Sequence, residues 1–356
     1  MITRVERISC DQITFAGQGL VRPECVIATC KGDLYASHAG GGITHIAPTG
    51  GARVYLANNC EKPGDFLPNG YSLRPDGSFL IANLGQSGGV YVLDRDGSLQ
   101  VFVSEVDGLT LPATNFANLD REGRTWISVS TSAIDREQSF NKTVADGFIA
   151  LVDRSGARVV ADGIGFTNEN KVDPSGHWLY VHETMGRSLL RFPIRANGDL
   201  GPRQTVTEYG PGVYPDGFEF DSEGGIWCAS VLSNRIIRLD PDGVQQMIID
   251  AGDPDLGERA ESAYQSNTFS RSLISEGLHS PLGNCASLCF GGDDLKTVFV
   301  GSLHLDRIAS FRSPVAGAPP PHWLWEKCLT LFMTVRSLSL ISRLTIFALR
   351  WFTPAA

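Results

Sequence analysis

Six residues spread along the chain, Glu24, Asn69, Asn115, Asn168, Asp216 and Asn284, carry side chains that can offer oxygen to a cation. Two are carboxylates and four are amides. Carboxylates brought together repel, and a divalent cation relieves that repulsion while accepting amide and carboxylate oxygens as ligands. A set with neither thiolate nor imidazole favours Ca²⁺, with Mg²⁺ and Mn²⁺ next; Zn²⁺ can occupy carboxylate sites, but its structural sites use sulfur and nitrogen. If the six converge, they build a metal site. If they do not, each simply begins a strand and bonds to nearby backbone.

Convergence needs a frame, and an internal repeat supplies one. Turn glycines followed by apolar strands recur in RPDGSFLIAN, REGRTWISVS, PSGHWLYVHE and SEGGIWCASV, with looser copies in CKGDLYASHA and FGGDDLKTVFVGS. The anchor glycines are Gly32, Gly77, Gly123, Gly176, Gly224 and Gly292, and each polar residue lies eight positions before one of them. Four positions after the polar residue stand Ala28, Leu73, Leu119, Val172, Phe220 and Leu288, so polarity is confined to one level. Successive anchors are 45 to 68 residues apart, room for four short strands. A second hairpin follows the first, as in GGVYVLDRDGSLQVFV, GFIALVDRSGARVVAD and NRIIRLDPDGVQQMIID, with D-G and S-G pairs at the turns. Helical periodicity is absent through residue 322. Six four-stranded antiparallel sheets, none able to bury both faces alone, stack around an axis: an all-β, six-bladed β-propeller over residues 1–322. Blade six runs into the Pro-rich PVAGAPPPHW without an outer strand, and the N-terminal run ITRVERIS is expected to close the ring.

A net charge of -9 leaves no basic footprint, which argues against a nucleic-acid partner. Eight cysteines without a CxxC pair, behind the start MITRVERISC that lacks an apolar signal core, suit a reducing, cytoplasmic setting. No GxSxG elbow is present, so a serine-hydrolase triad is not expected.

At these residues the chain resembles the senescence marker protein, gluconolactonase and luciferin-regenerating enzyme family, over about residues 3 to 322. PDGFEFDSEGGIW at 215 to 227 matches the strongest family motif; NENKVDPSGHWLYV and NFANLDREGRTW are divergent copies. The resemblance implies a six-bladed propeller with one catalytic divalent metal at the channel mouth, held by Glu24, Asn168 and Asp216, with Asn115 contacting metal or substrate. Sugar-lactonase members carry an Asn-Asp pair and a nearby Arg for substrate hydroxyls. This chain has Asn115, Phe116 and Ala113 there, and Glu169 in place of the usual Gly after Asn168, so a sugar lactone is not carried over as the substrate.

The expectation is a divalent-metal-dependent hydrolase acting on a small-molecule lactone or other carboxylic ester, with Asp216 as general base. Asn69, Asn115, Asn284, Phe116, Glu169 and His304 are the expected substrate contacts; His38 and His182 read as channel-lining or core histidines. The competing class is a non-catalytic metal-binding propeller serving as a binding or scaffold module. The long polar stretch 252–283 is either a lid or a mobile surface insertion. After residue 322 the chain turns apolar, with Arg336, Arg343 and Arg350 at seven-residue spacing. That tail, 323–356, reads either as an amphipathic helix touching a membrane surface or as a non-functional extension.

Overall fold

All six anchor glycines adopt positive φ, between 76° and 88°, a region that a residue without Cβ enters at little cost. In the computed structural model, which describes residues 4–59 and 61–323, each closes the hairpin between the first and second strands of a four-stranded antiparallel sheet. The first strands are Val26–Ala28, Pro68–Leu73, Thr114–Leu119, Thr167–Val172, Pro215–Phe220 and Cys285–Gly291. From blade two onward, each packs against the first strand of the next blade, and blade six against blade one, so they line a common axis. The second, third and, in blades one to five, fourth strands follow outward in chain order. The result is the six-bladed propeller expected from the repeat.

Apolar side chains fill the spaces between blades. Tyr35, Ile43, Tyr71, Phe79 and Leu93 pack between blades one and two, while Trp227, Ile236, Phe290 and Val300 pack between five and six. An aspartate following the first strand ties the hairpin in blades three and five. Asp120 accepts from the backbone N–H of Glu122 and Arg124 and from Trp126 Nε1 at 2.8 Å. Asp221 does the same with Glu223, Gly225 and Trp227 Nε1, and takes Arg238 Nε at 2.7 Å in a fully buried ion pair.

The ring is closed by Thr14–Ala16, which pairs with Ile308–Arg312 in the register Thr14↔Ser310, Phe15↔Ala309, Ala16↔Ile308. An N-terminal strand therefore does close it, but ITRVERIS is not that strand. Val5 N–H donates to Gln246 Oε1 at 3.2 Å and Ile8 N–H to the Ile248 carbonyl at 2.7 Å, along the outer strand of blade five, Gln245–Asp250. That strand has an otherwise unpaired edge, and the run covers it.

The expectation of no helix also needs correction. The insertion folds into Pro254–Gln265, Arg271–Glu276 and a short 3₁₀ turn, Gly277–His279. Asp253 caps the first helix through the N–H groups of Asp255 and Leu256, with Pro254 opening it. Its fully buried face is only Leu256 and Ala260, too sparse a pattern to register as periodicity. No helix of the described residues is long and apolar enough to cross a membrane. The expected tail helix lies, beyond Trp323, outside the described residues.

Candidate functional site at the channel mouth

A break in strand pairing spans the ring residue in blades two to five and directly follows it in blade six. The register shifts between Pro68 and Tyr71, Thr114 and Phe116, Thr167 and Asn170, Pro215 and Phe218, and Cys285 and Ser287. A bulge inserts an extra residue and bends the strand. Two of the residues after ring positions are glycines for reasons of space: a Cβ on Gly70 would strike the Phe116 ring, and one on Gly217 would strike Glu169.

The ring residues are all buried, and hydrogen bonds hold several of their side chains in place. Arg22, at φ 54°, donates from Nη2 to Asn69 Oδ1 at 2.8 Å. Asn69 Nδ2 donates to the Asn115 carbonyl at 2.9 Å, and Asn115 Nδ2 to Ser130 Oγ at 3.2 Å. Asn168 Nδ2 donates to Thr184 Oγ1 at 3.0 Å, and that hydroxyl donates to the Pro215 carbonyl, fixing the strand that carries Asp216. His182 is a core histidine: its ring bonds the Asp216 carbonyl at 2.9 Å and the Tyr209 hydroxyl at 3.0 Å, and burial pushes its imidazole down to about 3. His38, half-buried, accepts through Nδ1 from Gly40 N–H at 2.9 Å.

The two ring carboxylates disturb each other. Burial raises the Glu24 carboxyl above its ordinary value, with Arg22 and Arg136 acting against the rise. Burial, then the charges of Glu24 and Glu169, push Asp216 well above the carboxylate range, and the Asn168 amide favours its charged form. Glu24 Oε2 is buried without a hydrogen-bond partner. An orphaned carboxylate oxygen facing a second carboxylate and an amide fits an oxygen-seeking cation, which would supply both the missing partner and the missing charge. Among the described residues no group of three or more His, Cys, Asp or Glu side chains is arranged to hold a metal ion; the set at the mouth has two carboxylates and relies on amides for the rest.

Phe116 and Glu169 lie just beneath the ring, lining a cavity of about 290 Å³ in the far half of the channel, together with Tyr71, Lys171 and Glu219. Glu169 is ion-paired with Lys171 at 2.9 Å, and Lys171 with Glu219 at 2.7 Å. Burial lifts the Glu169 carboxyl to about 7 against the pull of Lys171. The side chain is therefore tied downward rather than free at the mouth. Pro319 to His322 border the far end of this cavity. Asn284 stands apart: its amide oxygen accepts from Leu232 N–H and its amide nitrogen donates to the Ile274 carbonyl, so it ties a loop of blade five to the helix Arg271–Glu276. His304 follows the second strand of blade six, exposed and within the field of Arg22.

Two residues of the mouth escape the repeat. Arg22 precedes blade one, and Arg136 opens the 3₁₀ turn Arg136–Ser139 in the loop between the second and third strands of blade three. Arg136 Nη2 donates to Ser130 Oγ at 3.3 Å, the hydroxyl that also holds Asn115, and its guanidinium lies over Phe166 at 5.2 Å. Burial, with Arg271 and Arg22 nearby, lowers it to about 10, while Asp216 and Glu24 oppose the shift. The insertion borders the same face: Arg271 pairs with Glu137 at 3.1 Å, and Leu256, Ala260 and Phe269 pack with Phe140, Phe166 and Tyr214.

Residues 23–254 match the family model described as the SMP-30/gluconolactonase/LRE-like region. A 6-deoxy-6-sulfogluconolactonase of Pseudomonas putida is 28% identical over 243 residues, 67% of this chain and 70% of that protein. Among solved structures, the calcium-binding protein regucalcin of Agrobacterium tumefaciens has a TM-score of 0.62 at 18% identity, covering 87% of this chain and 97% of that one. A gluconolactonase of Xanthomonas campestris has a TM-score of 0.61 at 16% identity, covering 85% and 89%. At these identities the structural likeness is one of fold.

Proposed function

Since the chain belongs to the SMP-30/gluconolactonase/LRE-like family, we propose that it is a divalent-metal-dependent hydrolase acting on a lactone or other carboxylic ester. The carrying observation is the pairing of two buried, mutually perturbed carboxylates, Glu24 and Asp216, with a Glu24 oxygen that has no partner. Glu24, Asn168 and Asp216 would hold the ion, with Ca²⁺ the first choice and Zn²⁺, Mg²⁺ or Mn²⁺ the alternatives. When bound, such an ion supplies Lewis-acid polarisation of the substrate carbonyl.

The chain's own residues do the remaining work. Asp216 accepts the proton of the attacking water, its backbone held by His182 and Thr184. Asn115, positioned through Ser130, and Asn69, positioned through Arg22, orient the substrate at the rim. Phe116 and the Glu169–Lys171 pair form the floor beneath it and limit how deep the substrate enters. An ester or lactone suits this set better than an amide, because its leaving oxygen needs less protonation.

A non-catalytic metal-binding propeller is the alternative, favoured by the likeness to a protein described as calcium-binding. Purified protein, chelated and reconstituted with each metal in turn, is to be assayed on a panel of lactones and aryl esters. Metal-dependent turnover that falls at least about 100-fold in Asp216→Ala supports the enzyme. Metal binding by calorimetry with no turnover across the panel supports the alternative.

A further inference from the structure

We infer that the mouth recognises an anionic group on the substrate, separate from the bond that is cleaved, through Arg22 and Arg136; this rests on the lactone-hydrolase reading above. Neither guanidinium has a carboxylate within ion-pair distance among the described residues, whereas Arg124, Arg158, Arg187, Arg235 and Arg238 each do. Arg22 bonds to the Pro68 carbonyl and an Asn69 amide oxygen, and Arg136 to a serine hydroxyl. Arg136 Nε is buried with no hydrogen-bond partner. A partly buried guanidinium with one buried, unused N–H is costly unless an acceptor arrives, and carboxylate or sulfonate oxygens match its fork.

The charge balance points the same way. Glu24 and Asp216 are the negative charges acting on Arg136, and they are also the carboxylates that would take up a divalent ion. One dication held there would offset both, and the two guanidiniums would then remain as positive charge at the mouth. Their positions are fixed in advance: Arg22 through Asn69, and Arg136 through Ser130 and the Phe166 ring. A neutral lactone would leave this positive charge unused. A lactone carrying a carboxylate or sulfonate away from its carbonyl would answer it.

The test compares glucono-1,4-lactone with glucaro-1,4-lactone, which has the same ring and a free carboxylate, and with the sulfonated counterpart as a third arm. Expected are lower KM values for the charged lactones, rising with ionic strength. Arg136→Gln should raise those KM values roughly 10- to 100-fold, with less effect on the neutral lactone, as loss of a charge-assisted hydrogen bond predicts. Arg136→Lys, which keeps the charge without the fork, should retain part of the preference and controls for folding. The two charged arms decide between carboxylate and sulfonate. Equal KM values for neutral and charged lactones, or a preference that survives Arg136→Gln, would overturn the inference. If no lactone is turned over, calorimetry of glucarate against gluconate still decides it: tighter glucarate binding that is lost in Arg136→Gln sustains anion recognition even where the hydrolase reading fails, and equal binding removes it.

Discussion

Glu24 is destabilising in the protein alone and useful only in company. Its burial is opposed by two nearby guanidiniums, yet one of its oxygens has no donor. Glu24→Gln should therefore stabilise the chelated protein, by about 1–2 kcal/mol, because it removes one of two repelling buried carboxylates. The same variant should lose the rise in melting temperature expected when Ca²⁺ is added to the parent, a shift set by ligand concentration over Kd. Thermal scans with and without the ion check both halves. A second residue gives a pH signature. Burial pushes the His322 imidazole down to about 4 from 6.5, although its ring nitrogen bonds the Ala28 carbonyl at 2.8 Å. The unfolded chain then binds a proton first as pH falls, so the contribution is present above pH 6.5 and lost on the way down to about 4. In His322→Gln, urea midpoints should fall less steeply over that window, by a difference on the order of 1–2 kcal/mol. At this scale the common level of Glu24, Asn168 and Asp216 was legible because each keeps a fixed distance from a turn glycine. Arg22 and Arg136 were not, since neither occupies a repeated position. Asn284 shares the register but not the role, because the insertion beside it claims its amide.

Strands and turns account for what could be read and for where reading stopped. The hairpin between first and second strands has nearly constant length in every blade, and that constancy makes a count from the glycine land at the mouth. The aspartate after the first strand is part of the same device. In blade five it also faces Arg238, which has no side-chain exposure and pairs with it at 2.7 Å. Asp221→Ala should cost about 3 kcal/mol, because it removes the nearer of the two carboxylates that face buried Arg238, leaving Glu223 at 3.2 Å, and takes the acceptor from Trp227 Nε1. Denaturant unfolding measures the loss; replacing Arg238 by Met in the same variant should recover part of it. The insertion escaped because the helix Pro254–Gln265 fully buries only two residues of its twelve, and burial of Phe269, Tyr264 and Leu273 depends on partners far away in sequence. Its side chains pack into the mouth face with Phe140, Phe166 and Tyr214, so a lid function, if it operates, involves breaking a formed core.

The propeller as a whole is held shut by three residues. Deleting residues 1–9 removes the cover of blade five and should lower the melting temperature modestly. Deleting 1–16 also removes the pairing of Thr14–Ala16 with blade six and should lower it by far more, with near-ultraviolet dichroism reporting loss of tertiary order. That the closing strand comes from the N-terminus was legible from the missing outer strand. Which three residues serve was not, because both ITRVERIS and the later TFA satisfy a sheet edge, and only the path of the backbone around blade five separates them. The seam also imposes an order on synthesis. Thr14 leaves the ribosome early, yet its partner Ser310 is made nearly last, so blade six stays open at its edge for most of translation. A chain interrupted anywhere before residue 312 has no way to complete its circle, and a stalled or truncated product would expose a strand edge ready to join another copy.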